Sequence, residues 1–159
     1  MSQKQNRQPR RSLWAAGLLL LPVVGGLLYF QLSPSAPLEA LAQNPTPTQL
    51  EQGRTLFAQN CAACHGPQAV GQLPKSPKGG IQADGTYLAP ALNGNGHAWH
   101  HPNQVLFETI KHGSIAPDSP MRGFSGRLND EEIVAVIQYF KSLWPATIRE
   151  RHMMMMEGS

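Results

Sequence analysis

A chain of 159 residues with two cysteines, 41% hydrophobic and 14% charged side chains has room for one small domain and its appendages. It is too short for a second catalytic domain and too poor in cysteine for a disulfide-stapled scaffold. Its net charge of +3 is unevenly placed: from Gln43 onward nine basic residues meet nine acidic ones, and the surplus is Lys4, Arg7, Arg10 and Arg11 less Glu39. That distribution reports membrane topology and speaks against a nucleic-acid partner.

Residues 1–12 form a basic leader to LWAAGLLLLPVVGGLLYF, an uncharged apolar run at 13–30. As a helix the run reaches about 27 Å, close to the hydrocarbon thickness of a bilayer. It exceeds the roughly 7–15 residues of a cleavable signal core, and the A-x-A site Ala40-Leu41-Ala42 lies well beyond Phe30. Trp14 and Tyr29 near its ends suit an aromatic belt. An uncleaved single-pass anchor in the inner membrane is therefore expected, its basic end in the cytoplasm and everything after Phe30 on the periplasmic or outer side. Arg10-Arg11 reads as topology charge rather than as a twin-arginine export signal.

Residues 31–47 hold four prolines and read as an extended tether. The folded domain is expected over 48–147, with 148–159 as a flexible tail. Thr48-Gln49-Leu50-Glu51 fits a capping box, and Leu50, Arg54 with Phe57, and Cys61 follow at helical spacing, which predicts a helix over 48–60. Residues 66–90, rich in glycine and proline, read as a long loop. Pro102 opens a second helix with an apolar stripe of Val105, Leu106 and Ile110, stopped at Gly113. A third starts at an Asn129-Asp130-Glu131-Glu132 cap and runs towards Pro145, burying Ile133, Val136, Ile137 and Phe140. No segment alternates with period two, so the fold class is all-α.

Three short helices and long loops bury too little apolar area to offset chain entropy, so something large must complete the core. The stretch Cys61-Ala62-Ala63-Cys64-His65 holds both cysteines. A disulfide between them closes too small a loop to help, structural zinc lacks the other ligands, and a thioredoxin-like pair needs a βαβ setting. The remaining reading is a single covalent haem c: the two thiols bond the vinyl groups and His65 is the proximal iron ligand. Met121, the internal methionine in the turn-rich Ser119-Pro120-Met121-Arg122-Gly123-Phe124, is assigned as the distal ligand. With both axial positions filled, electron transfer is expected rather than catalysis at the iron.

The stretches GRTLFAQNCAACHG, LAPALNG, SPMRGFSGRLNDEEI and VIQYFKSLWP make the chain resemble the class I cytochromes c of bacteria over about Thr48 to Pro145. The resemblance implies a small cytochrome c fold of three to five helices around one haem. It implies that Gly53 and Phe57 pack against Tyr139 and Leu143 where the first and last helices cross. It further implies that the Pro90 carbonyl accepts a hydrogen bond from His65, that Leu92 lies on the haem, and that Trp99 reaches a propionate. The 66–85 loop is longer than the family pattern.

His97, His100, His101 and His112 tempt a copper or second-haem reading, but the cysteine count excludes a second covalent haem, and local structural use is expected. His152 and Met153–Met156 carry soft ligands that suit cuprous copper, yet read as a frayed terminus. Asp130, Glu131 and Glu132 read as helix caps rather than catalytic acids. The leading expectation is a membrane-tethered, single-haem carrier passing electrons between respiratory protein donors and acceptors, with no small-molecule substrate. The alternatives are a fixed electron-entry subunit of a larger oxidase or dehydrogenase, and a haem enzyme or sensor.

Overall fold

The molecule, a computed structural model, describes residues 36–116 and 119–157. The expected leader at 1–12, the anchor at 13–30 and the start of the tether lie outside the described residues. Among those described, no helix is long and apolar enough to cross a membrane. The helices are α1 Ala36–Ala42, α2 Pro47–Asn60, α3 Ala62–His65, α4 Asn103–His112, α5 Asp130–Ser142 and α6 Ala146–Glu157, with 3-10 turns at Pro67–Ala69 and Ala98–His100. Pro37–Ser159 form one unit, and Met1–Ala36 fall outside it.

α2 begins with a capping box, but not the expected one. The Thr46 hydroxyl accepts from the Gln49 N–H at 3.2 Å, and Gln49 Oε1 accepts from the Thr46 N–H at 2.9 Å. Pro47, with its preset φ and no N–H to satisfy, fixes the first helical position and leaves Thr48 inside the first turn. Glu51 therefore pairs with Arg54 instead of capping. α5 carries the cap its sequence announces: Asn129 Oδ1 accepts from the Glu132 N–H, and Glu132 Oε2 from the Asn129 N–H, both at 2.9 Å. Ile133, Val136, Ile137 and Phe140 form its buried face.

The crossing of α2 and α5 is the centre of the core. A Cβ added at Gly53 would lie 2.0 Å from the Ala135 carbonyl oxygen and 2.9 Å from Tyr139 Cβ, so only glycine lets the two backbones meet. Phe57, 1% exposed, sets its ring 5.4 Å from that of Tyr139. Gly53 thus meets Ala135 and Tyr139, where the family resemblance implies Tyr139 and Leu143. Gly53→Ala is expected to cost more than about 4 kcal/mol, because the helices cannot part without opening a close-packed core. A thermal unfolding curve of the variant checks this.

The structure corrects three expectations. The tether is not extended throughout: α1 is helical, Leu41 is only 4% exposed, Gln138 Nε2 donates to the Ala40 carbonyl at 2.9 Å, and Asn103 Nδ2 to that of Leu41 at 3.4 Å. A seven-residue helix of about two turns, with Pro37 inside it, is too short for periodicity to register. The tail is not flexible as expected, since α6 occupies Ala146–Glu157 and buries His152. It docks through His152 and through Ile148, one turn earlier, which is partly buried against the core. The loop at 66–90 holds a small antiparallel ladder, β1 Gly80–Ile81 against β2 Tyr87–Leu88. Two residue pairs show no readable alternation, and the fold is otherwise helical.

Asn103, at the start of α4, gathers the flanking helices. Its Oδ1 accepts from Lys141 Nζ at 2.9 Å and lies 3.1 Å from His152 Nε2. Burial pushes the pKa of Lys141 down to about 8, against about 10.4 in an unfolded chain. Between these values the unfolded chain binds more protons than the folded one, so stability should rise as pH climbs from about 8 to about 10.4 and be lowest below that window. Lys141→Met is expected to abolish the rise, checked by the difference in Tm between variant and parent across that range.

Candidate cofactor site

α2 leads straight into the cysteine segment. The Cys61 N–H donates to the Phe57 carbonyl at 2.8 Å; Cys61 then bends the chain (φ −119°, ψ −34°) into the single turn of α3, where the His65 N–H donates to the Cys61 carbonyl at 2.9 Å. Gly66 reverses the chain at φ +74°, a left-handed conformation, with the Gly71 carbonyl oxygen 2.6 Å from where a Cβ would stand. Both thiols and the imidazole are thus presented from one rigid turn.

His65 is 8% exposed, and its Nδ1 lies 2.8 Å from the Pro90 carbonyl oxygen. A carbonyl only accepts, so Nδ1 carries the proton and Nε2 is left with a free lone pair. Burial lowers the pKa of His65, and the hydrogen bond to Pro90 opposes this more weakly. At neutral pH the ring is a neutral donor ligand. Both cysteines are free. Burial, reinforced by Cys64 and opposed by Arg127, pushes the Cys61 thiol up to about 11, so it rests as a thiol.

These groups open onto a cavity of about 910 Å³, towards the upper end of the roughly 300–1,000 Å³ usual for cofactor sites. Cys61, Cys64, His65, Pro90, Leu92 and Met121 all line it. Leu92 is held by its N–H on the Ala69 carbonyl at 2.8 Å and by Trp144 Nε1 donating to its own carbonyl at 2.7 Å. Met121 is half-buried on the segment after α4: its carbonyl accepts from the Ser114 N–H at 3.2 Å, its N–H donates to Ser119 Oγ at 3.3 Å, and Gly113 bridges to Arg122. Two free thiols beside a neutral imidazole, a thioether, and a large cavity fit a covalently held haem.

Trp99 is the exception among the expected site residues. It is not among the residues lining the cavity; its ring packs on His100 at 3.6 Å between centroids, and its carbonyl faces His152. Its neighbours His97 and His101 line the cavity instead, their rings edge-on at 5.5 Å. The sequence reading gave them only local roles; their place beside Pro102, at the entry to a cavity-lining helix, was the available signal. His112 pairs with Glu108 at 3.1 Å. Among the described residues no three His, Cys, Asp or Glu side chains gather into a metal-ion site.

Residues 48–140 match the protein family described as cytochrome c oxidase, cbb3-type, subunit III. A thiosulfate dehydrogenase of Psychrobacter arcticus is 30% identical over 58% of this chain and 25% of its own length. The cbb3-type cytochrome c oxidase subunit CcoP of Azospirillum brasilense is 33% identical over 57% of this chain and 30% of its own. The chain therefore spans less than a third of either relative. Among solved structures, cytochrome cL from Methylophaga aminisulfidivorans superposes with a TM-score of 0.50 at 24% identity, covering 68% of this chain and 63% of that one, a likeness of fold.

Proposed function

The chain belongs to the family described as cytochrome c oxidase, cbb3-type, subunit III, and is a c-type cytochrome with covalently attached haem c; from that premise we propose that it is a membrane-tethered, single-haem electron carrier. Cys61 and Cys64 would hold the haem, and His65 and Met121 would ligate its iron. When bound, the haem would supply a one-electron couple. The chain's own part is to offer an imidazole and a thioether to the iron, shield the site with apolar side chains, and orient His65 through Pro90.

The observation that supports the reading is that His65 and Met121 line one cavity; iron ligated by both would have no position left for a substrate. The single C-x-x-C-H supports one haem, and the apolar run at 13–30 supports a tether on the inner membrane with the haem domain outside. Donor and acceptor are then redox proteins on that side. Mass spectrometry of the mature protein from detergent-washed membranes tests this in one measurement: a mass of the full chain plus one haem is expected. A haem-loaded protein lacking residues 1–42 in the soluble fraction would overturn the tether.

A second reading, a fixed electron-entry subunit of an oxidase, is favoured by the docking of α1. With Ala36–Ala42 helical and its Ala40 and Leu41 carbonyls held by Gln138 and Asn103, the stretch just before α2 is docked rather than free linker. Co-purification of oxidase activity in mild detergent separates it from the free carrier. The likeness to a thiosulfate dehydrogenase covers a quarter of that protein, and we expect no thiosulfate-dependent reduction of the haem here.

A further inference from the structure

We propose that His97 and His101 form the seat for the two carboxylate side chains of the haem and take up a proton when the iron is reduced. The inference rests on the reading of one haem held by Cys61 and Cys64, and is independent of Met121.

A porphyrin carries its vinyl groups and its propionates on opposite edges, so thioether bonds at Cys61 and Cys64 direct the carboxylates to the wall away from α2 and α3. Arg127 acts on the Cys61 thiol and belongs to the cysteine side. His112, at the end of α4 next to the Ser114–Met121 hydrogen bond, pairs with Glu108. His97 and His101 lie before the head of α4, flanking the turn Ala98–His100, and both line the cavity with their rings edge-on at 5.5 Å. Trp99, between them, packs on His100 instead.

The side chains that act on His97 are cations when protonated: His101 and His100 from its own turn, and Lys78 from the 66–90 loop. Burial, then His101 and His100, lower the pKa of His97; Lys78 acts both ways, its backbone raising it and its ammonium lowering it. The loop is held against this place. The Ala91 N–H donates to the Pro77 carbonyl at 2.8 Å, and a Cβ at Gly96 would stand 3.0 Å from the Pro77 oxygen. Tyr87, on β2 of the same loop, also lines the cavity. On its other side the turn meets α6, whose His152 lies against the Trp99 carbonyl. A cluster that gathers positive charge in this way is completed by an anion, which restores the proton affinity of its imidazoles. Reduction then adds one electron, from a redox protein partner, to the iron, and the pair takes one proton from water. Ferric haem carries one more positive charge than ferrous, so it holds that proton less tightly.

The test uses the full haem-loaded chain and follows two readouts from about pH 5 to 8, where imidazoles titrate. They are the midpoint potential, and the carboxylate bands in the infrared difference spectrum between oxidised and reduced protein. In the parent the potential is expected to fall as pH rises, by about 59 mV for a proton bound tenfold more tightly in the ferrous state of a one-electron couple. Glutamine keeps an N–H for a carboxylate and removes the titration. His97→Gln and His101→Gln should each shrink the fall, and the double variant should abolish it together with the pH-dependent movement of the carboxylate bands. His112→Gln, which removes a differently placed imidazole of the same cavity wall, should keep both. A fall in the double variant no smaller than the parent's, its loss in His112→Gln, or a flat parent overturns the proposal and leaves the haem reading intact. If the double variant does not mature, the two single variants decide by the same criterion. A parent whose mass shows no covalent haem would defeat the underlying reading first, and the proposal with it.

Discussion

Met121→Ala is expected to yield a folded, coloured protein that binds carbon monoxide when reduced and has lost its near-infrared band. The thioether reaches the cavity from a segment hung on the end of α4, and the turn bearing His65 takes no part in holding that segment. Removing it therefore opens one axial position and leaves the cysteines and the His65–Pro90 hydrogen bond in place. Methionine stabilises ferrous over ferric iron, so its loss should lower the midpoint potential by on the order of 0.1 V or more, within the roughly 0.8 V range that axial ligands control. A redox titration superposing on that of the parent would sink the assignment.

The second large effect concerns folding. Replacing Cys61 and Cys64 by serine removes both covalent attachments, and the chain is then expected to lose its tertiary structure along with its colour. The cavity they border measures about 910 Å³. Without haem that space fills with water, and the apolar side chains that line it, Leu92, Leu106, Ile110 and Phe124 among them, lose their burial. A few such side chains at roughly 1.5–3 kcal/mol each already compare with the roughly 5–15 kcal/mol by which domains are stable at all. Loss of near-UV dichroism in the purified double variant is the expected readout. A colourless protein with parental near-UV and far-UV spectra would contradict it.

The parts of this molecule visible in the sequence are those where a local rule and the tertiary packing agree. Asn129 and Glu132 announce α5, and Ile133, Val136, Ile137 and Phe140 show its buried face. Cys61, Cys64 and His65 announce the haem site because two thiols and an imidazole on one turn serve few other purposes. The cap of α2 was misplaced by two residues since both Thr46 and Thr48 precede a suitable partner, and only the ring of Pro47 decides between them. α6 is hard to read in sequence because only Ile148 and the polar His152 make its inward face, and the oxygens His152 lies against, on Trp99 and Asn103, are some fifty residues away. Trp99 was placed at the haem by resemblance, whereas the turn at Ala98–His100 directs its two flanking histidines there instead.

The cysteines stand at the end of α2 with His65 directly after them, and this has a consequence for how the molecule recovers from denaturation. A thioether does not dissociate in urea, so the unfolded chain still carries its porphyrin, and recapture is a unimolecular event insensitive to dilution. The proximal imidazole, tethered next door, never strays far from the metal. On the proposed ligation, the Met121 sulfur must return across a long loop and meets the full entropic cost of closing it. Refolding should therefore end, rather than begin, with the sixth bond.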